Sequence, residues 1–422
     1  MKKKWGFIAV AAFGLYVVAM YIYFFYSQTS EIPSALKGTV ADPSTFLTAK
    51  EMVLSDDLSK IRNFLFFVAT PLEWLLYFII LITGISSFFE RMSAEQSKWT
   101  IWITAKYVFL LSFLLAILQF PLNYYKYALS KSYGISTQTF SSWMRDNVID
   151  FWLDLFISII LVTVLYWLIK KSAKKWWFYA WLLTVPFTVF LMFIQPVVID
   201  PIYNDFYPIK DQALETKILL MAEQADIPSE HVYEVNMSEK TNALNAYVTG
   251  IGENARIVLW DTTLNRLKDE EILFIMAHEM GHYVLKDIYI GIGVYLMMTL
   301  IGLWFIAKMM PWMISRFGSV LNIKQMGNIH SLPLFLLISS FLLFFSNPLS
   351  NAISRYQETR ADEYAIELVE NPNVAVSTFQ QLTKAGLSEV NPPVIVKWFR
   401  YTHPPMLERI YHIAEYTVED KK

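Results

Sequence analysis

The sequence predicts a predominantly α-helical fold, a polytopic membrane helix bundle of about seven spans carrying a small inserted α+β domain. Three observations lead there. Of the 422 residues, 55% are hydrophobic and only 17% charged, with a mean hydropathy of +0.37, too apolar for an ordinary soluble chain. Apolar stretches of roughly twenty residues recur along the chain, each long enough to cross a bilayer. Between the fifth and sixth lies the first long polar stretch, where short β-rich runs lead into a helix with chemistry-bearing side chains.

In chain order, spans are expected at about 5–26, 64–89, 101–122, 149–169 and 176–198, making residues 1–198 an N-terminal membrane region. The first follows Met1-Lys-Lys-Lys, but its apolar run exceeds a signal-peptide core and no small-x-small cleavage site follows, so it reads as a retained signal anchor. Glu73 and Asp154 interrupt apolar spans, which places each either at an interfacial helix end or facing a wet interior. Residues 199–287 read as a water-soluble domain. An amphipathic helix from about Asp211 to Gln224 presents Leu214, Ile218, Leu219 and Met221 on one side. Three β-rich runs follow, His231 to Met237, Leu244 to Thr249 and Arg256 to Trp260, and the next helix begins at about Lys268. Residues 288–350 hold two more spans, 288–311 and 332–349, and residues 351–422 form a polar helical C-terminal part.

Composition also excludes. The net charge of −2 leaves no basic footprint for nucleic acid. With no cysteine there are no disulfides, thiolate ligands or catalytic thiols, and His and carboxylates are the only strong zinc ligands.

Chemistry is concentrated in Ala277-His-Glu-Met-Gly-His-Tyr283, which matches H-E-x-x-H. Imidazoles four apart on a helix face the same way, so His278 and His282 can share one metal ion, and Glu279 beside them can act as general base. Acids in the first turn and apolar residues at Ile272, Ile275, Met276 and Met280 support a helix with both histidines turned inward. A catalytic zinc ordinarily takes a third protein ligand and leaves a position for water. No histidine follows in Tyr283-Val-Leu-Lys-Asp-Ile288, so that ligand must come from elsewhere. Glu358 is the leading candidate, four residues before Asp362 on one helix face, so that one binds the ion while the other orients a ligating histidine. Asp287, His330 and His403 are rivals, and a solvated charged face with Arg355 and Arg360 is the alternative for the pair.

Here the chain resembles a family. Ser354-Arg-x-x-Glu358-x-x-Ala-Asp362, two spans after the His-Glu helix, is similar to the CAAX prenyl protease 1 family of integral-membrane zinc metalloendopeptidases. The resemblance extends over about residues 199–412, through Asp200-Pro-Ile-Tyr-Asn-Asp-Phe, Asn245-Ala-Tyr-Val-Thr-Gly250, Trp260-Asp-Thr-Thr-Leu and Thr402-His-Pro-Pro-x-x-x-Arg409-Ile. It implies one zinc held by His278, His282 and Glu358, water activation by Glu279, a bracing role for Asp362, and oxyanion stabilisation by His403. Arg409 would pair with Asp362 or with a substrate carboxylate. Asn245, Ala246 and Tyr247 resemble the edge strand along which a substrate peptide lies extended.

The function so implied is hydrolysis of peptide bonds by zinc-activated water in a multi-pass membrane protein, on peptide or protein substrates ending in prenylated Cys-aliphatic-aliphatic-X, with loss of the last three residues. Quality-control proteolysis of membrane proteins is the alternative within the class. A seven-span transporter or receptor with a structural metal is the alternative outside it, and the presence of Glu279 argues for catalysis. Expectations for sidedness conflict. The Lys and Arg bias, strongest at Lys170 to Lys175, puts the protease domain outside the cytoplasm, whereas the resemblance implies a cytosol-facing site.

Overall fold

The computed structural model describes residues 2–27, 31–95, 99–228, 231–249 and 256–419, so Gly250 of the strand motif lies outside the described residues. Among the described residues, seven helices are long and apolar enough to cross a membrane. They are α1 (Lys2–Tyr26), α2 (Ala49–Thr83), followed by the short α3 (Ile85–Ala94), then α4 (Thr100–Ser132), α5 (Phe140–Lys171) and α6 (Trp176–Ile194), which continues through a π-turn into α7 (Asp200–Tyr203). The other two spanning helices follow a polar domain in the chain.

The second span lies earlier than its hydropathy predicts. Thr48 caps α2, accepting from the Glu51 N–H while Glu51 accepts from the Thr48 N–H, so the helix starts well before its apolar core. It stops at Gly84, whose φ of 84° is the left-handed conformation glycine adopts without a Cβ penalty. The apolar residues beyond belong to amphipathic α3. Glu73 therefore sits deep in α2, accepting hydrogen bonds from Tyr77 Oη at 2.6 Å and Ser340 Oγ at 3.0 Å, as the interior-facing expectation requires. Asp154 is exposed on α5.

The polar domain opens with β1 (Phe206–Pro208), a three-residue strand too short for its pattern to show, then α8 (Gln212–Gln224), β2 (Val232–Val235), β3 (Ala246–Thr249) and β4 (Arg256–Trp260). Asp211 caps α8 by accepting from the Ala213 and Leu214 N–H groups. Sheet order is β1-β2-β4-β3, with β2 and β4 parallel and both outer strands antiparallel to their neighbours. β3 is thus an edge.

After α9 (Asp261–Arg266) comes α10 (Asp269–Val284), which carries the histidines. Its start is pinned by buried Glu271, which accepts from the Lys268 N–H at 2.9 Å and the Ser377 hydroxyl at 2.6 Å. Ile272, Met276 and Met280 pack with Ile218, Val232, Ile257 and Leu259 under the sheet, and Phe274 and Ala277 pack toward Phe379, Ile410 and Ile413. Burial on both flanks holds this helix in place.

The chain then turns through Lys286, whose φ of 59° is unusual for a residue with a Cβ, into α11 (Asp287–Leu321). It returns as α12 (Leu332–Val369), followed by α13 (Pro372–Gly386), α14 (Val394–Arg400) and α15 (Met406–Glu419). No break separates the seventh span from Glu358 and Asp362. One continuous helix runs through the division expected at 350/351.

Candidate metal centre

α10 and α12 cross closely because small residues line the contact. Ala277, Ala361 and Ala365 are wholly buried, and a Cβ on Gly281 would stand 3.2 Å from Ala361 Cα and 3.2 Å from the Tyr364 ring. With bulk removed there, the side chains flanking the seam meet. His278, His282 and Glu358 each offer a ligand atom, all within 4.8 Å of one another. Nε2 of His278 is 3.2 Å from Oε2 of Glu358, and Nε2 of His282 is 3.5 Å from Oε1.

Behind each histidine stands a carboxylate. Asp362 Oδ1 lies 2.8 Å from His278 Nδ1, at ion-pair distance but without a hydrogen bond of good geometry at that nitrogen. Asp287 Oδ2 lies 2.9 Å from His282 Nδ1. In both cases the Nδ1 edge is engaged and Nε2 points into the cluster, the arrangement in which outer carboxylates fix the ring orientation of metal-binding histidines. Asp287, weighed as a third ligand, takes this supporting place because the Lys286 corner swings it beneath His282. His330 is removed from the centre altogether. It pairs with Glu90 at the other end of the last spanning helix, roughly 40 Å from Glu358 at 1.5 Å per residue.

Arg409 is buried and bidentate on Asp362, with Nε to Oδ2 at 2.8 Å and Nη2 to Oδ1 at 2.5 Å, while its guanidinium lies 4.1 Å from the Phe379 ring centroid. Of its two expected partners it has taken Asp362. His403 enters from the turn before α15, with Nε2 3.3 Å from Glu358 Oε2 and Nδ1 2.9 Å from Thr402 Oγ1. Glu279 makes no hydrogen bond or ion pair among the described residues.

Electrostatics follow from this crowding. Burial opposes a charged His278, but Asp362 and Glu358 outweigh it and push the pKa up to about 10. Burial likewise opposes charge on His282, and Glu358 and Asp287 raise its pKa nonetheless. Burial lifts Glu279 above the ordinary carboxylate range, against the two histidines. For His403, whose ring edge is exposed but whose Nε2 sits in the cleft, burial, helped by the nearby Arg409 and His278 charges, outweighs the Glu358 carboxylate and lowers the pKa to about 4.

The donor set fits a metal ion. Oε2 of Glu358 is buried without a hydrogen-bond partner, between two imidazole nitrogens, where an acceptor is costly unless a cation satisfies it.

At the edge of the sheet, the Trp260 N–H donates to the Asn245 carbonyl at 3.1 Å, so alternation turns the backbone groups of Ala246 and Val248 away from β4. The Ala246 N–H is held by Asn245 Oδ1 at 3.0 Å. Beside Tyr247 and Thr249 opens a cavity of about 500 Å³ lined also by Met192, Phe193, Pro196 and Val197 from the end of the fifth span. Neither the β1 strand nor the Asp287 contact had a signal in the pattern of residues.

Comparison with known proteins agrees with this construction. Residues 208–417 match peptidase family M48, and residues 7–205 match the CAAX prenyl protease N-terminal region of five membrane helices. A Bacillus subtilis relative, the uncharacterized metalloprotease YhfN, is 52% identical over 410 residues, covering 97% of this chain and 96% of that one. An Arabidopsis thaliana CAAX prenyl protease 1 homolog is 26% identical, covering 96% and 97%. The crystal structure of S. mikatae Ste24p superposes with a TM-score of 0.80 at 21% identity over 98% of both chains, which shows the shared fold. The chain therefore belongs to peptidase family M48 and is a multi-pass membrane metalloprotease.

Proposed function

We propose that the protein is a zinc endopeptidase acting on extended peptides at the membrane, with C-terminal prenylated Cys-aliphatic-aliphatic-X segments as its substrates. The observation that carries the mechanism is the convergence of two Nε2 atoms and a buried, otherwise unsatisfied carboxylate oxygen. His278, His282 and Glu358 hold the ion. Zinc, when bound, supplies Lewis acidity, which acidifies a water and polarises a carbonyl.

Glu279 takes the proton from the attacking water and returns it to the leaving amine. Its raised pKa suits that exchange, since a base is most effective with a pKa near the working pH. His403 is held neutral, and when the Thr402 hydroxyl donates to Nδ1 the proton resides on Nε2, the nitrogen directed at the cluster. From there it donates to the oxygen that gains charge as the carbonyl is attacked. Asp362 and Asp287 keep the two ligating rings oriented, and Arg409 keeps Asp362 in place.

Of Asn245, Ala246 and Tyr247, Ala246 offers the substrate its main-chain groups at the free edge, with the Asn245 side-chain oxygen yielding the Ala246 N–H to a peptide carbonyl, while Tyr247 borders the adjoining cavity. The apolar lining of the adjoining cavity suits aliphatic side chains or an isoprenoid. Its place beside the fifth span gives a lipidated peptide a route from the bilayer.

The test is cleavage by detergent-purified protein of a farnesylated Cys-aliphatic-aliphatic-X peptide, its unprenylated form and an unfolded membrane protein, with Glu279→Gln as control. Release of the last three residues from the prenylated peptide, abolished in the control while zinc content is kept, is expected. Glu279-dependent cleavage of the unfolded protein alone would replace the substrate assignment with quality-control proteolysis. Undiminished cleavage by the zinc-loaded control would defeat the mechanism.

A further inference from the structure

Contacts at the two ends of the helix bundle establish which connections share a side. At one end the Lys2 ammonium meets Asn322 Oδ1, Asn322 Nδ2 donates to the carbonyls of Leu81 at 2.7 Å and Ile82 at 3.2 Å, and Gly327 lies beside the stem of Lys170. The start of α1 and the ends of α2, α5 and α11 therefore gather here. At the other end the Thr137 hydroxyl donates to the Ser238 carbonyl at 2.8 Å, Asn242 Nδ2 to the Gly134 carbonyl at 2.8 Å, and Gln380 Nε2 to the Val40 carbonyl at 3.0 Å. These bonds tie the α4–α5 and α1–α2 connections to the domain that carries the metal centre. The 33 residues of α4 set the two ends roughly 50 Å apart.

The first end is strongly basic. Lys2 to Lys4 open α1, Lys170, Lys171, Lys174 and Lys175 surround the α5–α6 corner, and Arg316 and Lys324 flank the end of α11. All are exposed, and none has an ion-pair partner among the described residues. Among those residues the acids of the connections at this end are Glu90, taken by His330, and Glu95. The other end carries both signs, with Lys60 paired to Asp56 and Lys240 to Asp146. Trp176 and Trp177 start α6 directly beside Lys174 and Lys175, and the Lys171 ammonium sits 4.6 Å from the Trp167 ring centroid, a residue pairing suited to the headgroup level.

An unneutralised cationic face where spans leave the bilayer is complementary to an anionic headgroup layer, which in cells is the cytoplasmic leaflet. We propose that this face seats against anionic lipid of the cytoplasmic leaflet, so that the His278, His282 and Glu358 cluster opens on the opposite, non-cytoplasmic side of the membrane. The orientation is read from the contacts and charges at the helix ends and does not depend on which ion the centre takes. It is the reverse of the sidedness implied by the family resemblance, and it makes the substrates those presented from outside the cytoplasm.

Because the chain has no cysteine, single cysteines report sidedness without background. Ser34→Cys and Thr216→Cys are exposed at the metal-centre end, and Ala173→Cys and Ser319→Cys at the basic end. The full-length variants are treated with a membrane-impermeant maleimide on intact cells and again after permeabilisation. Full labelling of the first two in intact cells, with the second two labelled only after permeabilisation, is expected. The reverse pattern, or equal labelling of both ends in intact cells, would overturn the orientation. Replacing Lys170, Lys171, Lys174 and Lys175 together with Gln should expose Ala173→Cys to the outside in part of the population, and an unchanged pattern would overturn the anchoring role of these lysines. Labelling reads orientation without reference to cleavage, so its failure is separate from failure of the proposed enzymology.

Discussion

Asp362 Oδ1 stands between Arg409 and His278, 2.5 Å from the guanidinium Nη2 and 2.8 Å from the imidazole Nδ1. One carboxylate thus joins the C-terminal helix to the ligand helix, and Asp287 repeats the arrangement on His282. Asp362→Asn and Asp287→Asn are each expected to weaken zinc affinity about 10–100-fold, the usual cost of losing the partner that orients a ligating histidine. Competition against a chelator of known affinity measures it. Arg409→Gln leaves a buried carboxylate unpaired and should destabilise the protein by about 3–5 kcal/mol, read from thermal unfolding in detergent. An Arg409→Gln protein of unchanged stability would mean the pair is incidental.

Gly281 is required by the helix crossing. An added Cβ must displace Ala361 backbone or the Tyr364 ring by a few tenths of an ångström, pushing α10 away from the helix that carries Glu358. Gly281→Ala should destabilise by about 1–3 kcal/mol through overpacking and lower zinc occupancy at limiting metal. Elemental analysis after dialysis against dilute zinc is the check, and full occupancy would show that the seam yields without moving the ligands.

His403 acts, in the proposed mechanism, on charge that appears only during reaction. His403→Gln should therefore cut kcat about 100–1,000-fold with little change in KM or zinc content. A rise in KM at constant kcat would instead place His403 in ground-state substrate binding.

Proton and metal compete for His278. In the metal-free protein its pKa of about 10 lies above the value near 6.5 of an unfolded chain. The stabilisation from its charged pairing is complete below about pH 6.5 and is lost as pH rises through 10. Zinc uptake at neutral pH must displace that proton, so about one proton should be released from His278 and apparent affinity should fall as the solution is acidified. Calorimetric titrations in two buffers of different ionisation enthalpy give the number, and identical apparent enthalpies would contradict it.

Local chemistry made much of this protein legible in one dimension. Span length follows from bilayer thickness, the inward face of α10 from its apolar period, and the pairing of His278 with His282 from the helical pitch, all properties of neighbouring residues. Glu358 and Asp362 were identifiable as a pair on one face for the same reason. Their meeting with α10 depends on small residues some 80 positions apart in sequence, Gly281 and Ala361, which no local pattern links. The second span shifted because a capping box and a left-handed glycine, rather than hydropathy, bound the helix. Asp287 read only as a rival third ligand, and the Lys286 turn directs it instead at Nδ1 of His282. Residue type and spacing determined the reagents, whereas only the packing of distant helices decided which atoms face one another, because side-chain direction across a crossing is set by close contact and not by order along the chain.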